Sequence, residues 1–275
     1  IDFRLMIKFT VKKSGIKRVC FQHSSTAVNC PSLLMTDTHF FDYTIAQQGL
    51  SEEYFINNRV SASKNCSVLQ SPHYFKLLQR KYADISKRAN SKDKIIMFAP
   101  TDTVVGYYYF NNEFCTGPSY FKFLKALVDY FSGRKDKTFI FKYVKGSRWA
   151  LNSIVAYITA NNFDNIKLED KPLSQCFRAA DRVILDHPST GFFESISVGM
   201  PTLSFYKNTL IPYKNAAQIF GKSLQPVSDA PDAIEKIEQF LLDDPEEYKA
   251  RIPMADDDAQ KILSSILNNS CTERS

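Results

Sequence analysis

Asp181-Arg182-Val183-Ile184-Leu185-Asp186-His187-Pro188-Ser189-Thr190-Gly191-Phe192-Phe193-Glu194 is the stretch whose reading decides the fold of this chain. The run up to Leu185 is apolar, rich in β-branched residues and too short for a helix, so it reads as a buried strand. It breaks into a small polar turn, and an amphipathic helix is expected over 191–198. Ser189, Thr190 and Gly191 then stand where that helix begins. Free N–H groups and the helix dipole make an anion site there, the hydroxyls add donors, and Pro188 pre-sets the entry. Glu194 lies one turn in, placed to accept hydrogen bonds from a ribose diol. The same spacing also fits an ordinary helix start, with Ser189 or Thr190 as N-cap and Glu194 closing a capping box.

The alternation continues on both sides. Towards the amino terminus, strands are expected at 94–99, 138–144 and 165–168, with helices at 118–131, 149–160 and 173–180. Towards the carboxyl terminus, strands are expected at 202–205 and 224–227, with helices near 212–220, 231–242 and 256–268. Short apolar strands alternating with helices predict a parallel sheet covered on both faces. The expected fold class is α/β.

Residues 76–94 carry Lys76, Arg80, Lys81, Lys87, Arg88, Lys92 and Lys94, with no apolar run before Ile95. This predicts a boundary: an amino-terminal domain over 1–75, a linker over 76–93, a second domain over 94–269 and a polar tail over 270–275. In the first part, short strands are expected at 18–22, 41–46 and 67–69, with helical spacing over 3–13 and a helix starting at Ser51. Residues 1–75 are too few for a full nucleotide-binding fold. With an opening of Ile1-Asp2-Phe3-Arg4, the chain reads as partial and its first domain as incomplete.

The 275 residues suit one large or two modest domains, at roughly 100–200 residues each. Hydrophobic residues make up 44% and charged residues 23%, which excludes a mostly disordered chain. No run approaches the length of a membrane-spanning helix. The six cysteines (Cys20, Cys30, Cys66, Cys115, Cys176, Cys271) form no CxxC pair and have no histidine at metal-ligand spacing. They fit a reducing cytosol, and no metal is expected. The net charge of +6 suits phosphorylated ligands or an anionic membrane surface, or serves solubility alone. With no recognisable nucleic-acid-binding signature, nucleic acid is not an expected partner.

Ligands of open α/β sheets sit at the carboxyl ends of the strands. His23 follows the first strand among Ser24, Ser25 and Thr26. It is a candidate general base towards a sugar or polyol hydroxyl, or a structural loop histidine. Pro100-Thr101-Asp102-Thr103 ends the strand at 94–99, offering hydroxyls to a phosphate or forming an ordinary turn. Lys142 lies inside an apolar strand, where a charge needs a partner: a phosphate, or water at an edge strand. Tyr107-Tyr108-Tyr109-Phe110 can stack on a base or sugar, or pack against the other domain.

Together these pieces resemble the GT-B transferases of bacterial surface-carbohydrate biosynthesis and, more distantly, the CDP-glycerol glycerophosphotransferases. Val19-Cys20-Phe21-Gln22-His23-Ser24 is similar to a strand followed by QHG. Val68-Leu69-Gln70-Ser71-Pro72 is similar to V-x-G-S-P. Ile95–Thr101 is similar to the apolar strand plus Pro-Thr that opens the second domain. Asp186–Glu194 with Gly199-Met200-Pro201-Thr202 is similar to D-x-x-S-T-x-x-x-E followed by G-x-P. Ser24 and Gln70 stand where the pattern has glycine.

The resemblance implies two Rossmann-like domains in GT-B architecture. It implies a glycosyl- or glycerophosphate-type transferase that uses a nucleotide-activated sugar or polyol phosphate and a glycan or lipid-linked acceptor. The product would be surface polysaccharide: capsule, O-antigen or a teichoic-acid-like polymer. Carried over, His23 would be the acceptor-side catalytic base. Thr101, Lys142, Ser189, Thr190 and Gly191 would hold the donor phosphates, Glu194 would face the ribose, and His187 would touch a phosphate or the leaving group. No cofactor is implied, and helix dipole, hydroxyls and lysine would carry the leaving-group charge. The implied setting is the cytoplasm, including peripheral contact with the inner membrane face. A nucleotide-sugar 2-epimerase of the same architecture and a non-catalytic GT-B-like interaction module are the alternatives.

Overall fold

The computed structural model describes residues 19–21, 43–46, 67–70, 80, 85, 94–100, 117–145, 150–207 and 220–250. The chain divides into two compact units, Ile1–Leu77 with Pro253–Ser275, and Leu78–Ile252. In the first unit, β1 (Val19–Phe21), β2 (Tyr43–Ala46) and β3 (Ser67–Gln70) form a sheet in the order β1-β2-β3. Both pairings are parallel, with Val19 opposite Tyr43 and Tyr43 opposite Ser67. The helices expected over 3–13 and from Ser51 lie outside the described residues.

The second unit runs β4 (Ile95–Ala99), α1 (Gly117–Gly133), β5 (Thr138–Lys142), α2 (Ala150–Asn161), β6 (Ile166–Glu169), α3 (Leu173–Ala179), β7 (Arg182–Leu185), α4 (Thr190–Ser197), β8 (Thr202–Lys207), β9 (Leu224–Val227) and α5 (Ala230–Leu242). Its strands lie in the order β6-β5-β4-β7-β8-β9, all parallel. Numbered within the unit this is 3-2-1-4-5-6, the doubly wound Rossmann order. The order reverses between β4 and β7, so the crevice beyond Ala99 and Leu185 is the topological switch point.

Strand alternation sends side chains to two faces. On one face Ile96, Phe98, Phe141, Ile184, Leu203 and Phe205 join a continuous core with α1, α2 and α5. Phe131 of α1 stacks on Phe139 at 4.4 Å and meets Phe98 at 5.5 Å. Such aromatic pairs add about 0.5–1.5 kcal/mol beyond their area burial. The opposite face carries α3 against β4 and β5, and α4 against β7 and β8. There Thr202 Oγ1 lies 2.9 Å from both Ser195 Oγ and Met200 O, and Ser195 Oγ donates to Phe192 O at 2.8 Å.

The amino-terminal edge of the sheet is closed by Asp181. Its Oδ2 accepts from the amides of Lys94 and Ile95, both at 2.9 Å, and its own N–H donates to Ile95 O at 2.7 Å. Arg182, next in sequence and 2% exposed, reaches the end of α5. It donates to Phe240 O and, at 3.0 Å, to Asp243 O. These are last-turn carbonyls with no intrahelical partner, and a cation suits the negative end of the dipole. The candidate site lies at the carboxyl-terminal edge.

Candidate functional site

The site grows from the turn between β7 and α4. Ser189 has extended backbone (φ −85°, ψ −173°) and is the N-cap of α4, so the helix begins at Thr190, one residue earlier than the spacing predicts. Phe192 is then the third helical residue and Glu194 the fifth, which corrects the capping-box reading. Ser189 Oγ makes no cap hydrogen bond either. Phe192 N–H donates to Ser189 O at 3.0 Å, and Ser189 N–H to His187 O at 2.7 Å. The amides of Thr190 and Gly191 are left as the first-turn donors that helix geometry supplies with no intrahelical acceptor.

Gly191 sits in tight packing. A Cβ there would stand 3.1 Å from Leu173 Cδ2 and 3.3 Å from Leu185 Cδ2. The head of α4 is thus packed closely onto β7 and the head of α3. At its other end α4 closes in a Schellman motif around Gly199 at φ +74°. Gly199 N–H donates to Ile196 O and Met200 N–H to Ser195 O, both at 3.1 Å.

Lys142 is the last residue of β5. That strand lies between β6 and β4, so the edge-strand explanation of its charge fails. The side chain is 9% exposed, and Nζ donates to Tyr143 O. Its register neighbour Glu169 is engaged instead by Lys171, at 2.8 Å, which holds the Glu169 carboxyl below its ordinary range. Among the described residues Lys142 has no carboxylate partner. Its ammonium acts on Cys176 of α3, whose thiol is pushed up by burial and partly drawn back by that charge. Lys142 therefore lies on the α3–α4 face, two strands from Leu185, about 10 Å at ordinary strand spacing.

His187 is 5% exposed, and burial pushes its imidazole down to about 4. It is neutral at pH 7, so in the ligand-free protein it brings no positive charge to an anion. Glu194 is half-buried within α4, and its backbone oxygen accepts from Ser197 Oγ at 2.8 Å. Thr190 opens α4. His23 and Thr101 lie outside the described residues, as does the aromatic run 107–110.

The structure thus gathers Lys142, His187, Ser189, Thr190 and Gly191 at the carboxyl edge of one sheet, around its switch point. It adds a residue that the sequence reading passed over, Tyr120 in the first turn of α1, whose O–H donates to Asp186 Oδ2. Asp186 stands at the head of the quoted motif. The tyrosine is 66 residues away and becomes its neighbour only through the strand order. Among the described residues no group of three or more His, Cys, Asp or Glu could hold a metal, and no helix is long and apolar enough to cross a membrane.

A Rossmann-ordered sheet with a helix amino terminus at its switch point defines a nucleotide-binding class of fold. Residues 56–228 match the family model of the LIC12162 family transferase, and the chain belongs to that family. It is therefore a transferase. No curated protein matches the chain. Among solved structures it is similar to the Methanocaldococcus jannaschii UDP-GlcNAc 2-epimerase in complex with UDP-GlcNAc and UDP. That match has 12% identity, 97% of this chain and 79% of that one covered, and a TM-score of 0.59. It is also similar to S. aureus MnaA with UDP (11% identity, 98% and 78% covered, TM-score 0.57) and to TarM (14%, 92% and 50%, TM-score 0.52). The chain spans half the length of TarM. At these identities the likeness is one of fold, the α/β class of Rossmann-like units in GT-B architecture that the sequence leads one to expect.

Proposed function

We propose that this chain transfers a glycosyl or glycerophosphate-type group from a nucleotide-activated donor to a glycan or lipid-linked acceptor, in building a surface polysaccharide. The proposed setting is the cytoplasm and the inner membrane face. The observation that carries the reading is Ser189. It stands at the N-cap of α4, at the switch point, with its hydroxyl not engaged by the helix it begins. A serine kept only to cap would contribute its hydroxyl to an amide of the first turn.

The donor diphosphate would take the amides of Thr190 and Gly191, the hydroxyls of Ser189, Thr190 and Thr101, and the ammonium of Lys142. Glu194 would accept from the ribose diol. As the bond to the leaving nucleotide breaks, a nucleoside diphosphate in glycosyl transfer or a nucleoside monophosphate in glycerophosphate transfer, the growing charge would meet the α4 dipole and Lys142. His187, neutral at pH 7, would serve as an uncharged hydrogen-bond donor. His23 would remove the acceptor hydroxyl proton.

The test is calorimetry of the full chain with UDP, CDP, GDP and ADP, followed by product analysis with the matching donor. At least one diphosphate should bind. The double variant Ser189→Ala, Thr190→Ala should weaken it by about 1–3 kcal/mol, the value of hydrogen bonds to a charged group. Binding to none, or an unchanged dissociation constant, rejects the reading. Epimerised donor without transfer to acceptor would select the epimerase alternative.

A further inference from the structure

The sheet has a pin at its switch point. Tyr120 is 3% exposed, belongs to the core under the α1 face and stacks with Phe123 at 6.4 Å. Its O–H donates to Asp186 Oδ2. Strand alternation puts Asp186 on the face of Ile184, which is Tyr120's face. The preceding residue, Leu185, meets Gly191 on the other face. Three residues after Asp186, Ser189 caps α4 there. The chain therefore crosses between the two helical layers over residues 186–189. It is held on one side by Tyr120 and on the other by the contact of Gly191 with Leu173 and Leu185.

The cost of that arrangement is informative. A half-buried carboxylate and a buried phenol are unfavourable unless they meet, and a pair of apolar side chains would fill the same space. What the polar pair adds is direction. A directed hydrogen bond fixes the Asp186 rotamer, and with it the backbone from which the turn springs.

We infer that Tyr120 is a positioning residue for the anion-binding turn: through Asp186, its hydroxyl fixes the crossing that aims the first amides of α4. The ligand's identity rests on the proposed function, while the geometry does not. A small displacement matters here because charge-assisted hydrogen bonds weaken steeply with misalignment.

The test compares wild type with Tyr120→Phe, which keeps the ring and removes the O–H. Without ligand, exchange of the bonded amides of Ser189 and Phe192 should quicken several-fold while that over 202–206 stays unchanged. With the nucleoside diphosphate that wild type binds, the dissociation constant should rise about tenfold, and kcat/KM for the matching donor should fall by at least as much. Asp186→Ala should do the same, and the two substitutions together no more than either alone. Asp186→Asn, which keeps an acceptor, should recover part of the affinity. Unchanged exchange at Ser189 and Phe192, or additive effects in the double variant, overturns the inference. A wild type that binds none of the four diphosphates overturns the proposed function instead, and the exchange measurement still decides the role of Tyr120.

Discussion

Arg182, at the head of β7, holds Asp243 beyond the end of α5 by donating to its backbone oxygen at 3.0 Å. The same guanidinium donates to Phe240 O and lies over the Phe240 ring, 5.2 Å from its centroid. One side chain thus ties the central sheet to the last described α-helix, at the edge away from the candidate site. Arg182→Met would leave those carbonyls buried without their donor, and a loss of about 2–4 kcal/mol is expected in urea unfolding. Arg182→Lys should recover less than half, since an ammonium cannot reproduce the planar fork. Nucleotide affinity of the folded fraction should not move; a drop as large as that of a site variant would show the two edges to be coupled.

Lys142 should behave in the opposite way. A buried ammonium bonded to one carbonyl contributes little to stability, and often less than an apolar side chain of similar volume. Lys142→Met is expected to leave the ligand-free protein as stable as wild type or slightly more so, while nucleotide affinity falls about tenfold or more. Calorimetry and thermal unfolding on the same preparation separate the two effects. A destabilised variant with unchanged affinity would make Lys142 a structural residue.

At Gly191 the added methyl of alanine would press on Leu173 and Leu185. Their ends are flexible but packed, so Gly191→Ala should cost about 1–3 kcal/mol and weaken nucleotide binding by displacing the head of α4. Leu173→Ala in the same chain opens room and should restore part of both. Gly199→Ala meets nothing within 4 Å, and its cost comes from the positive φ alone. About 1 kcal/mol is expected there, with no gain from Leu173→Ala. Equal rescue at both glycines would reject the packing argument.

His187 makes stability depend on pH. Its folded value of about 4 lies below the ordinary 6.5, so between those values the unfolded chain binds the extra proton. Its contribution is complete above about pH 6.5 and is lost as pH falls towards 4, by roughly 3 kcal/mol in all. Several carboxylates titrate nearby, so the comparison is with His187→Gln, whose stability profile should be flatter over that window. Parallel profiles would mean that the imidazole titrates normally.

Most of the second unit was legible in the sequence because its strands are short apolar runs and its helices carry one apolar face. β4, α3 and β9 lie within a residue of their expected bounds, and α4 begins one residue early because Ser189, extended in backbone, takes the cap. The position of Lys142 was not legible. A strand's place in its sheet depends on partners from distant sequence, and only the order β6-β5-β4 makes β5 interior. The contacts of Tyr120 with Asp186 and of Arg182 with Asp243 span 66 and 61 residues, and no local pattern encodes them. The turn after β7 was readable as the start of a helix because its residues, Asp186 to Gly191, lie close together in sequence; that it binds an anion is part of the proposed function. His23 and Thr101 remain sequence expectations.

Parallel order also sets a timetable. The amide of Ile95 waits for a carboxylate 86 positions further along the chain, and β4 cannot gain its β7 neighbour sooner. At roughly 5–20 residues per second of synthesis, that interval is about 4–17 seconds. Meanwhile Ile95-Ile96-Met97-Phe98-Ala99 has β5 on one flank and an open flank on the other, the kind of apolar strand edge that recruits other chains. A strand that later lies inside the sheet is thus left open on one side while the chain is still being made.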